Sequence, residues 1–197
     1  MGVQDKYTKG EKELDDSLVI STSDRLGADP NFEQKPEESL MTAVFGIGAG
    51  GSIACKSEIY NNKVYFGSCD HNFYCLDVKT GKQIWRFKTG DIVISSPRAE
   101  NGAVYFASYD KKIYSLNAET VKKIWVFEGD SPFFSSPFIY KNILYIGSIE
   151  GTLYAIDSLK GKVLWKFYCG DKIVGSPAAD DDKVFFASLN GKIYCAN

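Results

Sequence analysis

Short apolar runs separated by turn-forming residues recur along most of this chain. In one 40-residue stretch they predict four strands, A to D, over residues 93–97, 103–108, 112–117 and 123–127. The pair Asn101-Gly102 is a hairpin signal between strands A and B. Four short strands in so few residues are typical of an all-β protein built from small antiparallel sheets.

Strand B is apolar at consecutive positions instead of alternating between apolar and polar. It reads Val64-Tyr65-Phe66, Val104-Tyr105-Phe106, Leu144-Tyr145-Ile146 and Val184-Phe185-Phe186 in successive copies. A strand with one face in water alternates, so these strands are predicted to be covered on both faces. Sheets stacked around an axis, each between two neighbours, produce this pattern, as the blades of a β-propeller do.

The four-strand unit repeats every 40 residues from about residue 44 to the end of the chain. Tryptophan recurs at Trp85, Trp125 and Trp165, and serine recurs at Ser68, Ser108, Ser148 and Ser188. A fixed period of this length indicates a repeat architecture. The recurring residues are therefore interpreted as architectural, and function is expected where the copies differ.

The repeats predict three complete blades, 53–87, 93–127 and 133–167, and a fourth, 173–197, without a strand D. Phe45 precedes Trp85 by one period, so the segment 43–47 is predicted to supply a strand D. The chain then divides into a non-repeated acidic tail or linker, 1–42, and a propeller domain, 43–197. Three arrangements stay open: a closed four-bladed ring, half of an eight-bladed ring formed by two chains, and a fragment of a longer propeller.

Charge and cysteine content narrow the partners. The 197 residues carry a net charge of −2, and residues 1–40 hold ten acids against five bases. There is no basic stripe for nucleic acid and no apolar run long enough to span a membrane. The five cysteines match no zinc spacing, and no signal peptide is evident, which favours the cytoplasm unless a signal was removed.

The detailed motif resembles the pyrroloquinoline quinone (PQQ) type of propeller repeat. That repeat has the pattern Tyr-Ala-Leu-Asp-x-x-x-Gly-x-x-x-Trp, and this chain shows Tyr74-Cys75-Leu76-Asp77 with Gly81 and Trp85, then Tyr154-Ala155-Ile156-Asp157 with Gly161 and Trp165. The middle copy departs from the pattern, with Asn117 and Val121. Gly-His and Trp-Asp pairs, which mark WD repeats, do not occur. The resemblance covers residues 44–197 and implies a propeller of four-stranded blades.

The repeated residues have clear structural roles. Asp77 and Asp157 open a tight turn between strands C and D, where a carboxylate accepts backbone N–H bonds. Gly81 and Gly161 allow a positive φ in that turn. The tryptophan rings, Trp85, Trp125 and Trp165, are expected to fill the space between neighbouring blades, with one N–H each to satisfy.

The resemblance implies little about chemistry, because many proteins with this repeat bind no quinone. They include the outer-membrane assembly propeller and sensor regions attached to kinases. The quinoprotein enzymes need a calcium site, a catalytic Asp and an adjacent Cys-Cys pair, and this chain has no such pair. We therefore predict no catalytic residue and no cofactor, with PQQ and calcium as the alternative. The predicted function is a binding or scaffold module for a protein or peptide; the alternatives are a quinoprotein-type protein and a sensor or accessory domain of a longer protein.

One end of the propeller is the candidate binding face, because D–A and B–C turns share it. It is predicted to carry Asp91, Asp130 and Asp171 from the D–A turns, and Asp70, His71, Asp110 and Glu150 from the B–C turns. A ring of carboxylates could hold a cation or attract a basic peptide. The alternative is that these are ordinary turn-forming residues and that His71, the one histidine, is a solvated turn residue.

A second candidate lies at the start of strand A, next to the central channel. Phe133 and Phe134 replace the aliphatic residues of other copies, and Lys56 replaces a recurring serine. These departures are consistent with a pocket at the channel mouth or with simple variation in the core.

Overall fold

The computed structural model describes residues 51–181 and 183–196, and the regular elements in these ranges are all β-strands. They are β1 (Glu58–Tyr60), β2 (Lys63–Gly67), β3 (Asn72–Asp77), β4 (Gln83–Lys88), β5 (Arg98–Glu100), β6 (Ala103–Ala107), β7 (Lys112–Asn117), β8 (Lys123–Glu128), β9 (Phe138–Tyr140), β10 (Ile143–Gly147), β11 (Thr152–Asp157), β12 (Val163–Tyr168), β13 (Ala178–Asp180), β14 (Lys183–Ala187) and β15 (Ile193–Ala196). Residues 1–50 lie outside the described ranges, and with them lie the predicted tail, its boundary at residue 42, and the predicted strand at 43–47.

The strands form four antiparallel sheets in chain order. The first three sheets have four strands each, β1–β4, β5–β8 and β9–β12, and the fourth has β13, β14 and β15. The same bulge interrupts the pairing of the third and fourth strands in each complete sheet, for example between Cys75 and Leu76. The all-β fold with propeller blades is confirmed, and the spacing of the blades follows the 40-residue period.

The hydrophobic core lies between the sheets. One buried cluster joins each pair of neighbouring blades, and strand B contributes to two of them, as the fully buried β6 shows. Between the first two blades, Phe73 stacks on Phe106 with ring centroids 3.8 Å apart. The consecutive apolar residues of strand B are thus explained: alternate side chains pack against the blade before and the blade after.

Strand A begins later than its sequence predicted. Residues 93–97 were expected to pair, but the ladder starts at Arg98. Pro97 has no N–H to donate, and Ser95 takes over at the preceding step. Its hydroxyl accepts the N–H of Ala107 and donates to the carbonyl of the same residue, both at 2.8 Å. The Ser95 side chain therefore takes the place of one pair of backbone hydrogen bonds in the sheet. Cys55 Sγ makes the same two contacts with the backbone of Gly67 in the first blade.

Two of the three recurring tryptophans, Trp85 and Trp125, join their blade to the C–D turn of the following blade. The indole N–H of Trp85 donates to the carbonyl of Ala118 at 3.2 Å, and that of Trp125 donates to the carbonyl of Ser158 at 2.8 Å. Gly161, at φ 69°, lies so close to the Trp125 ring that an added Cβ would be 2.7 Å from it. Glycine at this turn therefore has two roles. It adopts the positive φ, and it leaves room for the tryptophan ring of the preceding blade.

An acceptor at the start of the C–D turn binds the turn together. Asp77 Oδ1 accepts the N–H groups of Lys79 and Thr80, at 3.1 and 2.8 Å. Asn117 uses its side-chain oxygen in the same way, which explains why the middle copy tolerates an amide. Val121, in place of glycine, is held at φ 58°, a conformation that is unfavourable for a β-branched residue.

The fourth blade has an open face. Tyr65, Tyr105 and Tyr145 are buried by the next blade, but Phe185 at the same repeat position is 42% exposed. Ile193 is 80% exposed, whereas its counterparts Phe73, Ile113 and Leu153 are fully buried. Among the described residues, no further blade covers this face, so they do not close a four-bladed ring. The half-ring arrangement is consistent with the structure.

Replacing Trp85 with alanine should lower the free energy of unfolding by about 3–5 kcal/mol, because it empties the space between two blades and removes the bond to Ala118. The neighbouring Ile84, which is exposed on the outer strand, is the control. Ile84→Ala should change stability by less than about 0.5 kcal/mol. Urea denaturation followed by tryptophan fluorescence and circular dichroism measures both, and equal losses would contradict the assigned role of the ring.

The open face of the fourth blade should cause self-association. Light scattering across a concentration series is expected to show a dimer of about 44 kDa, twice the 21.9 kDa chain. Ile193→Lys should shift the protein to the monomer, since a charge would then lie in the apolar contact. Leu164→Lys, a change at an exposed position of the outer strand β12, should not. A monomeric parent protein, or association that Ile193→Lys leaves intact, would disprove this prediction.

Candidate functional site

The D–A and B–C turns meet at one end of the blades, and we name this surface the turn face. It comprises residues 68–72, 108–112, 148–152 and 188–192 of the B–C turns, residues 88–92, 128–132 and 168–172 of the D–A turns, and the residues that follow these D–A turns at positions 94, 134 and 174. Backbone bonds hold adjacent turns together: Thr89 N–H donates to the His71 carbonyl at 2.9 Å, and Tyr109 N–H donates to the Ile92 carbonyl at 2.9 Å. All seven predicted site residues lie on this face.

Asp70 and Asp110 are used within their own turns. Asp70 accepts the N–H of Asn72 at 2.9 Å through Oδ1 and the hydroxyl of Tyr74 at 2.6 Å through Oδ2. Asp110 makes the same pair of contacts and also accepts the N–H of Gly90 at 2.8 Å, which ties the D–A turn to the B–C turn. These carboxylates therefore stiffen the face.

The other two blades keep the clamp on the recurring tyrosine with different residues. Asn190 replaces the aspartate in the fourth blade, and its amide donates to the Tyr194 hydroxyl at 2.9 Å. In the third blade Glu150 is exposed, and Asp130 from the D–A turn takes the place of the missing carboxylate. Asp130 accepts the Thr152 hydroxyl at 3.0 Å and donates its own N–H to the Tyr154 hydroxyl at 3.2 Å.

These contacts shift the acidity of the groups that make them. Partial burial alone would raise the pKa of Asp70, but hydrogen bonds from Tyr74, Ser68 and Asn72 outweigh it and lower the pKa. For Asp130, burial also acts upward, and bonds from Tyr154 and Thr152 bring the pKa below its usual value. Burial, together with the bond to Asp70, raises the pKa of Tyr74 to about 12.

Asp91, Asp171 and His71 have more freedom. Asp91 and Asp171 each accept the N–H of the following residue through Oδ1 at 2.7 Å, and both side chains are half-buried. His71, in the left-handed region at φ 68°, places Nε2 4.0 Å from Asp91 Oδ1. In residues 51–181 and 183–196, no three His, Cys, Asp or Glu side chains are grouped so that they could hold a metal ion.

The strand A residues of all four blades form a second surface, which we name the inner wall. It lines an open cavity of about 340 Å³, and the lining includes Lys56, Glu58, Ser96, Arg98, Ser136 and Phe138. Lys56 lies there, as the sequence suggested. Phe133 does not, because it is fully buried between blades, and Phe134 lies instead on the turn face against Tyr109. Sequence reasoning missed Arg98, Glu58 and Phe138, although all three depart from the small residue Ala178 at the same repeat position.

The residues that the structure describes do not fit a quinone-plus-calcium site. The five cysteines are all free thiols, and none is adjacent to another in the chain. The described part of the chain also offers no carboxylate cluster for calcium. No helix in that part is long and apolar enough to cross a membrane.

The hydrogen bonds of Asp70 should make stability sensitive to acid. Because its pKa is lower in the folded protein than in the unfolded chain, the unfolded chain binds more protons, and stability falls as the pH drops through 4 towards the folded value. Asp70→Asn should flatten this dependence in urea titrations between pH 3 and 6. Glu150→Gln removes a carboxylate of the same face that is exposed, and it serves as the control. An unchanged slope in Asp70→Asn would contradict the assignment.

The comparisons with known proteins agree with this geometry. The family model described as outer membrane protein assembly factor BamB matches residues 48–197. No curated protein matches the chain. Among solved structures, the computationally designed Ika4 protein is 19% identical with a TM-score of 0.69, over 76% of this chain and 92% of that one.

Two longer solved chains are also similar. The computationally designed Ika8 protein is 19% identical with a TM-score of 0.67, over 73% of this chain and 45% of that one. BamB from Moraxella catarrhalis is 18% identical with a TM-score of 0.67, over 75% and 47%. This chain thus spans less than half the length of either, and these likenesses show the fold alone. The family model covers most of the chain and agrees with its repeats, so this chain belongs to the BamB family of PQQ-like propeller proteins.

Proposed function

We propose that this chain is a non-catalytic binding module whose turn face docks a protein or peptide partner. Membership of a family described as an assembly factor supports an interaction role in general terms. The residues that the turn face exposes indicate that this face is the binding surface, and they indicate the chemistry of its partner.

The proposal is based on an aromatic pair in which Phe134 is exposed and Tyr109 is half-buried. Phe134 is 40% exposed and meets Tyr109 of the neighbouring blade edge to face, with centroids 5.4 Å apart and an interplanar angle of 87°. Large aromatic side chains held in place by a rigid surface are the residues that most often dominate binding energy. The remaining copies are apolar at both repeat positions, with Ala54, Ile94 and Val174 at one and Cys69, Ile149 and Leu189 at the other.

The apolar residues are accompanied by charged groups of both signs, seven carboxylates and five lysines, and the carboxylates nearest the third blade are the ones that a basic partner would contact. Glu150 and Asp130 are exposed at the edge of the third blade, and Asp91 keeps 43% of its side chain accessible. An apolar centre with a charged rim is the usual anatomy of a protein interface. A partner that offers apolar side chains together with lysine or arginine would complement this surface.

The face is also stiff before any partner arrives. Backbone bonds connect neighbouring turns, and the Asp–Tyr clamps hold the loops from within. A surface that is already ordered loses little conformational entropy on binding, so more of the contact energy appears as affinity.

Selection of peptides from a random display library against the purified protein tests the proposal. The selected peptides should be enriched in basic and apolar residues. Phe134→Ala should weaken their binding about thirtyfold, which corresponds to about 2 kcal/mol for loss of a central aromatic anchor. Affinities measured by fluorescence anisotropy check this value.

Leu164→Ala provides the control, since Leu164 is a large apolar residue that is also exposed, at 52%, but lies on the outer strand β12. It should leave the affinities unchanged. Peptides that bind the Phe134→Ala protein as tightly as the parent protein would place the binding surface elsewhere. A rise in melting temperature with PQQ and Ca²⁺ would instead favour the quinoprotein alternative.

A further inference from the structure

The inner wall holds cationic groups that face a cavity and are only partly neutralised. Lys56 is exposed at the cavity, and Arg98 keeps 47% of its side chain accessible. The carboxylate of the wall belongs to Glu58, which accepts the N–H of Ala99 at 3.3 Å and lies 4.0 Å from the Arg98 guanidinium. The wall therefore has two cationic side chains and one carboxylate, and that carboxylate already accepts a backbone hydrogen bond.

Serine hydroxyls add hydrogen-bond donors to the same wall. The N–H of Lys56 donates to Ser96 Oγ at 2.9 Å, and the N–H of Ser96 donates to Ser136 Oγ at 2.8 Å. Each hydroxyl thus accepts a bond from the preceding blade. No described residue accepts a bond from either hydroxyl, so both O–H groups are available to a ligand in the cavity.

The setting of Arg98 favours a planar anion. Its guanidinium lies 5.8 Å from the centroid of the Phe138 ring, which supports one face of the group. A guanidinium held in this way presents a fork of N–H donors that matches the two oxygens of a carboxylate. Pro97 and Pro137 add apolar surface to the lining, which suits the carbon skeleton of an organic molecule better than an inorganic ion.

We infer that the inner wall binds an organic ligand through carboxylate groups, with Lys56 and Arg98 as the charged anchors and Ser96 and Ser136 as hydroxyl donors. The cavity of about 340 Å³ is large enough for a small polycarboxylate or for acidic side chains of a peptide. This site is distinct from the turn face, and it does not depend on the function proposed for that face.

Calorimetric titration of the whole chain with citrate, and separately with an acetylated tetraglutamate peptide, tests the inference. At least one probe should bind, and its affinity should fall about tenfold or more in Lys56→Gln and in Arg98→Gln. Arg98→Lys keeps the charge without the planar fork and should lose part of the affinity. The backbone amide signals of Ser96 and Ser136 should shift in nuclear magnetic resonance spectra upon titration.

Lys122→Gln is the control, because Lys122 is an exposed lysine of a C–D turn outside the cavity lining. It should bind like the parent protein, and the melting temperatures of all variants should confirm that they fold. Binding of citrate alone indicates a free metabolite, and binding of the peptide alone indicates acidic side chains; both outcomes support the site. Failure of both probes, equal affinity in all variants, or equally tight binding of inorganic phosphate would overturn it.

Discussion

Each sheet of this protein depends on the next sheet to cover one of its faces. The strands have only three to six residues, and so small a sheet buries too little apolar surface to be stable alone. The contact between Phe73 and Phe106, and the bond from Trp85 to the following turn, show how the neighbour completes the core. The exposed Phe185 and Ile193 show the same surface without a neighbour.

Packing between blades also determines the character of the turn face. The D–A turn that connects two blades runs beside the B–C turns of both blades. The backbone N–H and C=O groups of the D–A turn need hydrogen-bond partners in those neighbouring turns. Asp110 supplies one of them by accepting the N–H of Gly90. The predicted acidic residues of the turn face therefore fall into two groups. Some, such as Asp110, are required by the turns, and others, such as Glu150, are free to contact a partner.

The blade architecture could be predicted because it depends on the 40-residue period and on the pattern of apolar residues. Both features are visible along the sequence. The start of strand A could not be predicted, since the Ser95 hydroxyl takes the place of a pair of backbone hydrogen bonds, and nothing in the pattern of apolar residues indicates this. For the site, the spacing from Asp70 to Tyr74, repeated from Asp110 to Tyr114, was a visible signal of the internal clamp. In the third blade Asp130, and not Glu150, makes the contacts with Thr152 and Tyr154. The sequence does not indicate this, because the contacts join two turns that come together only in the folded blade.

The two candidate surfaces are close in sequence but differ in the charged groups that they leave free, which are carboxylates such as Glu150 on the turn face and Lys56 and Arg98 on the inner wall. The chain passes from Asp91 on the turn face to Ser96 on the inner wall within five residues, so each blade contributes to both. With a net charge of only −2, the chain has little long-range field to steer a partner. If both proposals hold, recognition would depend on local complementarity, with basic groups placed against the free carboxylates of the turn face and carboxylates placed against Lys56 and Arg98 of the inner wall. A partner segment that carries both kinds of group at the right spacing would then satisfy both surfaces.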